Sequence, residues 1–320
     1  MPLKFVMMPP QTDRTRAWAA QMMDAIPDYT VVVPETEEEA KKELPGADAA
    51  FGTISPDLLA VADDLKWIQA PAAAPAAGYY HDELIAHPTQ VTNFREIYND
   101  HISMSIMGFV LMFARGFHAY FPNQMRRAWD ATDPGTIHLP EATAVIIGVG
   151  GIGGEAARHC AHFGMNVIGV DARRQDTPEG VSRLVRPDDL DSVLPEADFV
   201  IMTIPHTPRT EGLMGIAKFK LMKKSAYLIN IGRGMTVKLD DLVEALRAGE
   251  IAGAGLDVYE QEPLPADHPL WAMPNVILTP HTAAYGPYLE DRREEVLMDN
   301  ARRFAAGEPL RNVVDKANWF

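Results

Sequence analysis

The sequence predicts an α/β protein built of two doubly wound parallel-sheet units. Three observations carry that prediction. Short apolar, β-branched runs alternate with amphipathic, helix-like segments along the chain. The stretch Thr143 to Asp171 reads as a strand, a glycine turn, a helix and a second strand that ends on an acid. A separate alternating stretch, from Leu3 to Thr92, forms a smaller parallel unit with no glycine fingerprint of its own.

In the first unit, Leu3 to Met7, Thr30 to Val33, Ala47 to Phe51, Leu65 to Ala70 and Gln90 to Thr92 read as strands. Asp13 to Ile26 and Glu35 to Leu44 read as amphipathic helices between them. The run Glu37, Glu38, Glu39 is a solvated first turn favoured by the helix dipole. Pro71 to Gly78, PAAAPAAG, follows a strand and consists only of small residues and prolines. Small side chains there leave backbone N–H groups, such as those of Ala73 and Ala74, open to a ligand; the alternative is a rigid surface loop, and composition does not choose between them.

From about Asn99 to Tyr120 the chain reads as one long helix, apolar over most of its circumference. Such a helix must be buried, between domains or against a second subunit. Asn123 to Glu141 is irregular and leads into the strand Thr143 to Ile147. Further strands are expected at Phe199 to Thr203, Ala226 to Ile231, Gly253 to Asp257 and Val276 to Thr279. Helices are expected near Ile216 to Met222, Leu239 to Ala248 and Tyr288 to Ala306; in the last, Val296, Leu297, Ala301 and Phe304 face inward.

Composition sets bounds on function. The 320 residues suffice for two domains, and 47% hydrophobic with 23% charged residues describes a soluble globular chain. A net charge of -15 argues against nucleic acid as a partner, while an anionic small molecule needs only a local cation. Cys160 is the single cysteine, so no internal disulfide forms, and its place on an apolar helix face reads as a packed core thiol. The start MPLKFVMMPP lacks a signal-peptide layout, and Ile102 to Ala114 is too short to span a bilayer, so a cytoplasmic location is expected.

The glycine turn carries the first chemistry. Gly148, Gly150 and Gly153 form GxGxxG. The first glycine allows the tight turn, the second lets backbone approach a pyrophosphate, and the third lets the helix pack on its strand. Gly151 and Ile152 open the helix whose N–H groups point at the turn, with Ile152, Ala156, Cys160 and Phe163 along its apolar face. Asp171 ends the next strand eighteen positions after Gly153, where an acid accepts hydrogen bonds from ribose hydroxyls. The stretch is therefore read as a dinucleotide site.

Three polar residues follow predicted strands of the same sheet: Arg233 in NIGRG, Glu262 in LDVYEQEPLP and His281 in LTPHTAA. Each has a plain reading of its own, as a turn cap, a surface acid and a histidine beside a proline. Together at one sheet edge with the glycine turn they favour hydride transfer to a 2-keto acid. A guanidinium fork suits the carboxylate. A histidine suits proton transfer to the forming alkoxide, and a carboxylate beside it fixes the ring.

These residues resemble those of the D-isomer-specific 2-hydroxyacid dehydrogenases, over nearly the whole chain and most closely from Thr143 to Tyr285. The blocks that carry the resemblance are Gly148 to Asp171, IPHTPRTEGLMG, NIGRG, AGLDVYEQEPLP and TPHTAA. The resemblance implies a Rossmann cofactor domain, residues 99–285, inserted in a flavodoxin-like substrate domain, residues 1–98 and 286–320. It implies that Arg233 binds the substrate carboxylate and carbonyl, that His281 is the acid and base, and that Glu262 holds His281. Glu260 is the rival for that last role, but the family's acid directly precedes proline, as Glu262 precedes Pro263.

Further implied cofactor contacts are Pro205 and Thr210 in the central block, Ile231 beside the nicotinamide, and Asp257 on its carboxamide. Backbone at Ala73 and Ala74 would meet the substrate, and a homodimer would form on the apolar helix from Ile102. Two departures stand out: PAAAPAAGYY replaces a short AGVD-like turn, and a glutamate common in the crossover helix is not visible in HISMSIMGF. Arg173 and Arg174 suit a 2′-phosphate, but Asp171 repels one, so NAD is expected ahead of NADP. No metal is expected. The expected activity is reduction of small 2-keto acids, such as glyoxylate or hydroxypyruvate, to D-2-hydroxy acids. The alternative is a nucleotide-sensing, corepressor-like binding protein without turnover.

Overall fold

A computed structural model describes residues 2–318 except 74 and 77. The chain divides into two compact units, Met1–Ile97 with Pro287–Phe320, and Tyr98–Gly286. Each contains a wholly parallel sheet.

In the first unit, β1 (Leu3–Met7), β2 (Tyr29–Val32), β3 (Ala49–Phe51), β4 (Trp67–Gln69) and β5 (Gln90–Thr92) form a five-stranded sheet in the order β2-β1-β3-β4-β5. That is the flavodoxin-like order. Trp67 is fully buried and packs against Phe5 and Phe304, with ring centroids 5.5 Å away in both cases. Its Nε1 donates to Thr92 Oγ1 at 2.8 Å, and that hydroxyl donates to Gln69 Oε1 at 2.7 Å. Asn300 Nδ2 reaches the same oxygen at 3.3 Å, so satisfied buried polar groups tie the helix Leu289–Ala306 to the sheet. Val296, Leu297 and Ala301 of that helix are buried, as its spacing predicts.

In the second unit the sheet has seven strands: β6 (Thr143–Ile147), β7 (Asn166–Val170), β8 (Arg183–Val185), β9 (Phe199–Met202), β10 (Tyr227–Asn230), β11 (Gly253–Leu256) and β12 (Val276–Leu278). Their order is β12-β11-β10-β9-β6-β7-β8. Strands β9, β10 and β11 are buried at every position, which is why they read as continuous apolar or small-residue runs rather than alternating ones. β6 pairs with β7 on one side and with β9 on the other. The chain thus reverses its winding beside β6, at the point where doubly wound sheets open a crevice at their carboxyl edge.

Two readings need correction. The long helix expected over Asn99 to Tyr120 is broken into Asn99–Ala114 and Phe117–Met125, bent by 73°. Gly116 takes a left-handed φ of +70°, and a Cβ there would lie 2.3 Å from Pro134 Cγ. The first piece buries one side within its unit, through residues such as Ile106, Phe109, Val110 and Phe113, while Met104 on another side is 64% exposed in the single chain, which leaves the expected burial against a second subunit untested. Phe163 is exposed rather than on the packed face of the helix Gly151–His162. Strand β8 has too short and polar a run to stand out. Among the described residues no single helix is long and apolar enough to cross a membrane.

Candidate active site

The carboxyl ends of the seven-stranded sheet gather the expected residues. Gly148 follows β6, Asp171 follows β7, Pro205 and Thr210 follow β9, Arg233 follows β10, Asp257 and Glu262 follow β11, and His281 follows β12. Since β10, β11 and β12 are adjacent, the last four lie at neighbouring positions along one edge.

The glycine turn is built for close approach. Gly148 has φ +91°, and a Cβ on Gly153 would stand 1.8 Å from Gly148 O, so the helix Gly151–His162 meets its strand only because residue 153 lacks one. A Cβ on Gly150 would meet no heavy atom within 4 Å, which leaves open space where a pyrophosphate would approach. Gly151 and Ile152 form the first turn of that helix, whose N–H groups face the turn. Thr203 Oγ1 donates to Gly148 O at 2.6 Å and braces the turn from β9.

Asp171 closes the turn from the far side. Its Oδ2 accepts Val149 N at 3.0 Å, and its Oδ1 accepts Arg173 N at 2.8 Å and Arg174 N at 2.9 Å. Burial works against the carboxylate, but the backbone donors of Arg174, Arg173 and Val149 outweigh it, and the carboxyl titrates below its usual range. The Arg174 side chain is engaged with Val149 O at 2.9 Å and with Asp176 at 3.3 Å. The cradle, the helix N-terminus and the acid together fit a dinucleotide.

Pro205 and Thr210 form a local turn in which Thr210 Oγ1 donates to Pro205 O at 2.7 Å. Ile231 is 5% exposed and belongs to the same apolar cluster as Ala283. In the other unit, Ala73 lies just past β4 and its carbonyl accepts Asn93 Nδ2 at 2.9 Å; Ala74 lies outside the described residues.

His281 and Glu262 are brought together. His281 Nδ1 lies 2.7 Å from Glu262 Oε2, and Glu262 Oε1 accepts Tyr259 N at 3.0 Å. With Nδ1–H assigned toward the carboxylate, Nε2 is the ring nitrogen that this contact leaves for other partners. His281 has φ +55°, a left-handed conformation that a non-glycine residue holds only under constraint. Glu260, the rival acid, is engaged elsewhere: its Oε2 accepts Leu239 N at 2.8 Å, at the start of the helix Leu239–Ala248.

Arg233 is half-buried, and its Nη1 donates to Gly232 O at 2.6 Å. Burial pushes its pKa down, and the nearby negative charge of Glu262 works against that. A guanidinium stays charged through such a shift. Sequence reasoning passed over the residues that brace these groups. Asn230 Nδ2 donates to Arg233 O and its Oδ1 accepts Gly232 N, both at 3.1 Å, while Tyr259 and Thr279 brace the His281 turn. The available clue was a short polar residue at the end of an otherwise apolar, buried strand.

Among the described residues no group of three or more His, Cys, Asp or Glu is arranged to hold a metal. The thiol of Cys160 is buried, and burial pushes it up to about 12, which suits a packed core residue.

Known proteins resemble this chain in sequence and fold. Residues 107–283 match the family described as D-isomer specific 2-hydroxyacid dehydrogenase, NAD binding domain. The chain is 34% identical to a glyoxylate/hydroxypyruvate reductase B of Citrobacter koseri, over 78% of each sequence. It is similar to the D-isomer specific 2-hydroxyacid dehydrogenase of Xanthobacter autotrophicus Py2 solved with NADPH and MES, with a TM-score of 0.86, 28% identity and 100% coverage of both chains. A D-lactate dehydrogenase of Lactobacillus jensenii solved with NAD+ is 25% identical, with a TM-score of 0.78 and coverage of 98% of this chain and 99% of that one. The chain belongs to the D-isomer specific 2-hydroxyacid dehydrogenase family. It is an NAD(P)-dependent oxidoreductase.

Proposed function

We propose that the protein reduces small 2-keto acids to D-2-hydroxy acids, and catalyses the reverse reaction, with glyoxylate and hydroxypyruvate as its class of substrate. The observation that carries this reading is the His281–Glu262 pair at 2.7 Å on the sheet edge that also bears Arg233 and the glycine turn. Arg233 holds the carboxylate and polarises the carbonyl. His281 gives a proton to the forming alkoxide and takes it back in the reverse direction. Glu262 orients the ring. The bound nicotinamide supplies or accepts the hydride. Backbone at Ala73 and Ala74 is a further proposed substrate contact.

The dinucleotide is assigned to Gly148, Gly150, Gly151, Ile152, Gly153, Asp171, Arg173, Pro205, Thr210, Ile231 and Asp257. NAD is favoured over NADP because the Asp171 carboxylate titrates low and carries negative charge where a 2′-phosphate would sit. A cytoplasmic homodimer completes the proposal, its interface built on the exposed apolar side chains Met104, Phe117, Phe121 and Met125. The test is oxidation of NADH and NADPH, followed by absorbance, with glyoxylate, hydroxypyruvate, pyruvate and bulkier 2-keto acids. Turnover of the small acids is expected, and no turnover across the panel would sink the reading.

A further inference from the structure

The turn that carries His281 is held largely by one residue. Asp257, just past β11, is 1% exposed. Its Oδ1 accepts Thr279 Oγ1 at 2.6 Å and Thr282 N at 2.9 Å. Its Oδ2 accepts Ala283 N at 3.0 Å, and its carbonyl oxygen accepts His281 N at 2.9 Å. Four donors from residues 279–283 therefore end on Asp257.

The turn needs such a bracket. Left-handed backbone at His281 is unfavourable for a non-glycine residue and persists only where its surroundings fix it. Hydrogen bonds to an ionised carboxylate are about twice as strong as neutral ones, so a buried Asp is well suited to impose that shape. Ser105 Oγ holds the far end of the same turn, donating to Ala283 O at 3.1 Å.

We infer that Asp257 is a positioning residue for His281: it shapes the 279–283 turn, and so places the ring against Glu262. This rests on the reading of His281 as the acid and base. The resemblance assigns Asp257 to the nicotinamide carboxamide. An ionised carboxylate offers about four lone-pair sites, and three of these are already taken by the turn. Work on the turn is thus the larger part of what this side chain does.

The test compares Asp257→Asn, Thr279→Val and Thr279→Ser with the parent in the full chain without cofactor, using histidine labelled with carbon-13 at Cε1. The His281 line is assigned by its loss in His281→Ala. Asp257→Asn and Thr279→Val should shift or broaden that line, and Thr279→Ser, which keeps the donor, should restore it. With Thr279→Val, kcat should fall about tenfold or more while the Kd for NADH changes by less than about threefold. If Asp257→Asn does not fold, Thr279→Val decides alone, since it removes a single hydroxyl. A His281 line unmoved in every folded variant overturns the inference. Because the line is read whether or not a keto acid turns over, that failure is distinct from failure of the proposed activity.

Discussion

His281 Nδ1 and Glu262 Oε2 stand 2.7 Å apart although they follow different strands, and the other oxygen of the same carboxylate accepts the Tyr259 N–H at 3.0 Å. The pair is therefore oriented from the backbone outward: Tyr259 fixes the carboxylate, the carboxylate fixes the ring. Replacing His281 by Ala should lower kcat by about 10² to 10⁴ with little change in NADH affinity. Glu262→Gln keeps the shape but loses the charge and should lower kcat by a smaller factor. Steady-state rates beside fluorescence titration of NADH check both, and a joint loss of binding and turnover in His281→Ala would mark the histidine as structural.

Arg233 carries the second prediction. The residue is half-buried, and the turn beneath it is tied by Asn230 to Arg233 O at 3.1 Å. Arg233→Lys retains a cation but not the planar fork. Loss of a charge-assisted hydrogen bond costs about 1.5–3 kcal/mol, so KM for the keto acid should rise about ten- to a hundredfold, with kcat also reduced. An unchanged KM would remove the arginine from the substrate.

Much of the fold was legible because parallel strands buried on both faces must be apolar throughout. β1 and β6 begin and end where their largely apolar runs do, and β5, although only Val91 in it is apolar, keeps its expected bounds. Arg233, Glu262 and His281 could be picked out because loops after such strands converge on one edge. The break after Ala114 was not, since Arg115–Gly116 looks like helix surface until Pro134 is packed against residue 116. Neither was the bracket around His281. A buried Asp that holds a turn and an Asp that holds a ligand have the same letter at the same strand end, and only the partners of its oxygens separate them. The choice of Glu262 over Glu260 rested on a following proline in the sequence; the structure adds a physical reason, because Glu260 is spent on Leu239 N.

Asp171 yields a prediction with a pH signature. Its carboxyl is held below the usual range, so the native state favours the charged form. The stability this contributes is present above the unfolded value of about 3.9 and is lost as pH falls through the lower folded value. Asp171→Asn should therefore melt below the parent by a margin that is constant above about pH 5 and narrows under about pH 4. The same variant removes the charge that opposes a 2′-phosphate, and the ratio of NADPH to NADH affinity should rise. A ratio that stays fixed would place the source of cofactor preference elsewhere.

The glycines of the turn separate packing from ligand approach. At Gly153 a Cβ would fall 1.8 Å from Gly148 O and 2.7 Å from Thr203 Oγ1, contacts that backbone cannot relieve without moving the helix off β6. Gly153→Ala should therefore lower the melting temperature and abolish NADH binding together. Gly150 differs: its φ is -72°, outside the left-handed region, and beyond its chain neighbours no heavy atom lies within 4 Å of an added Cβ, so alanine meets no packing clash. Gly150→Ala should melt close to the parent yet bind NADH at least about tenfold more weakly, because the methyl occupies space that the pyrophosphate needs. Thermal melts and NADH titrations on the two variants decide it. If Gly150→Ala binds NADH as well as the parent does, the second glycine is not the point of approach, and the assignment of the turn to the dinucleotide loses its main physical support.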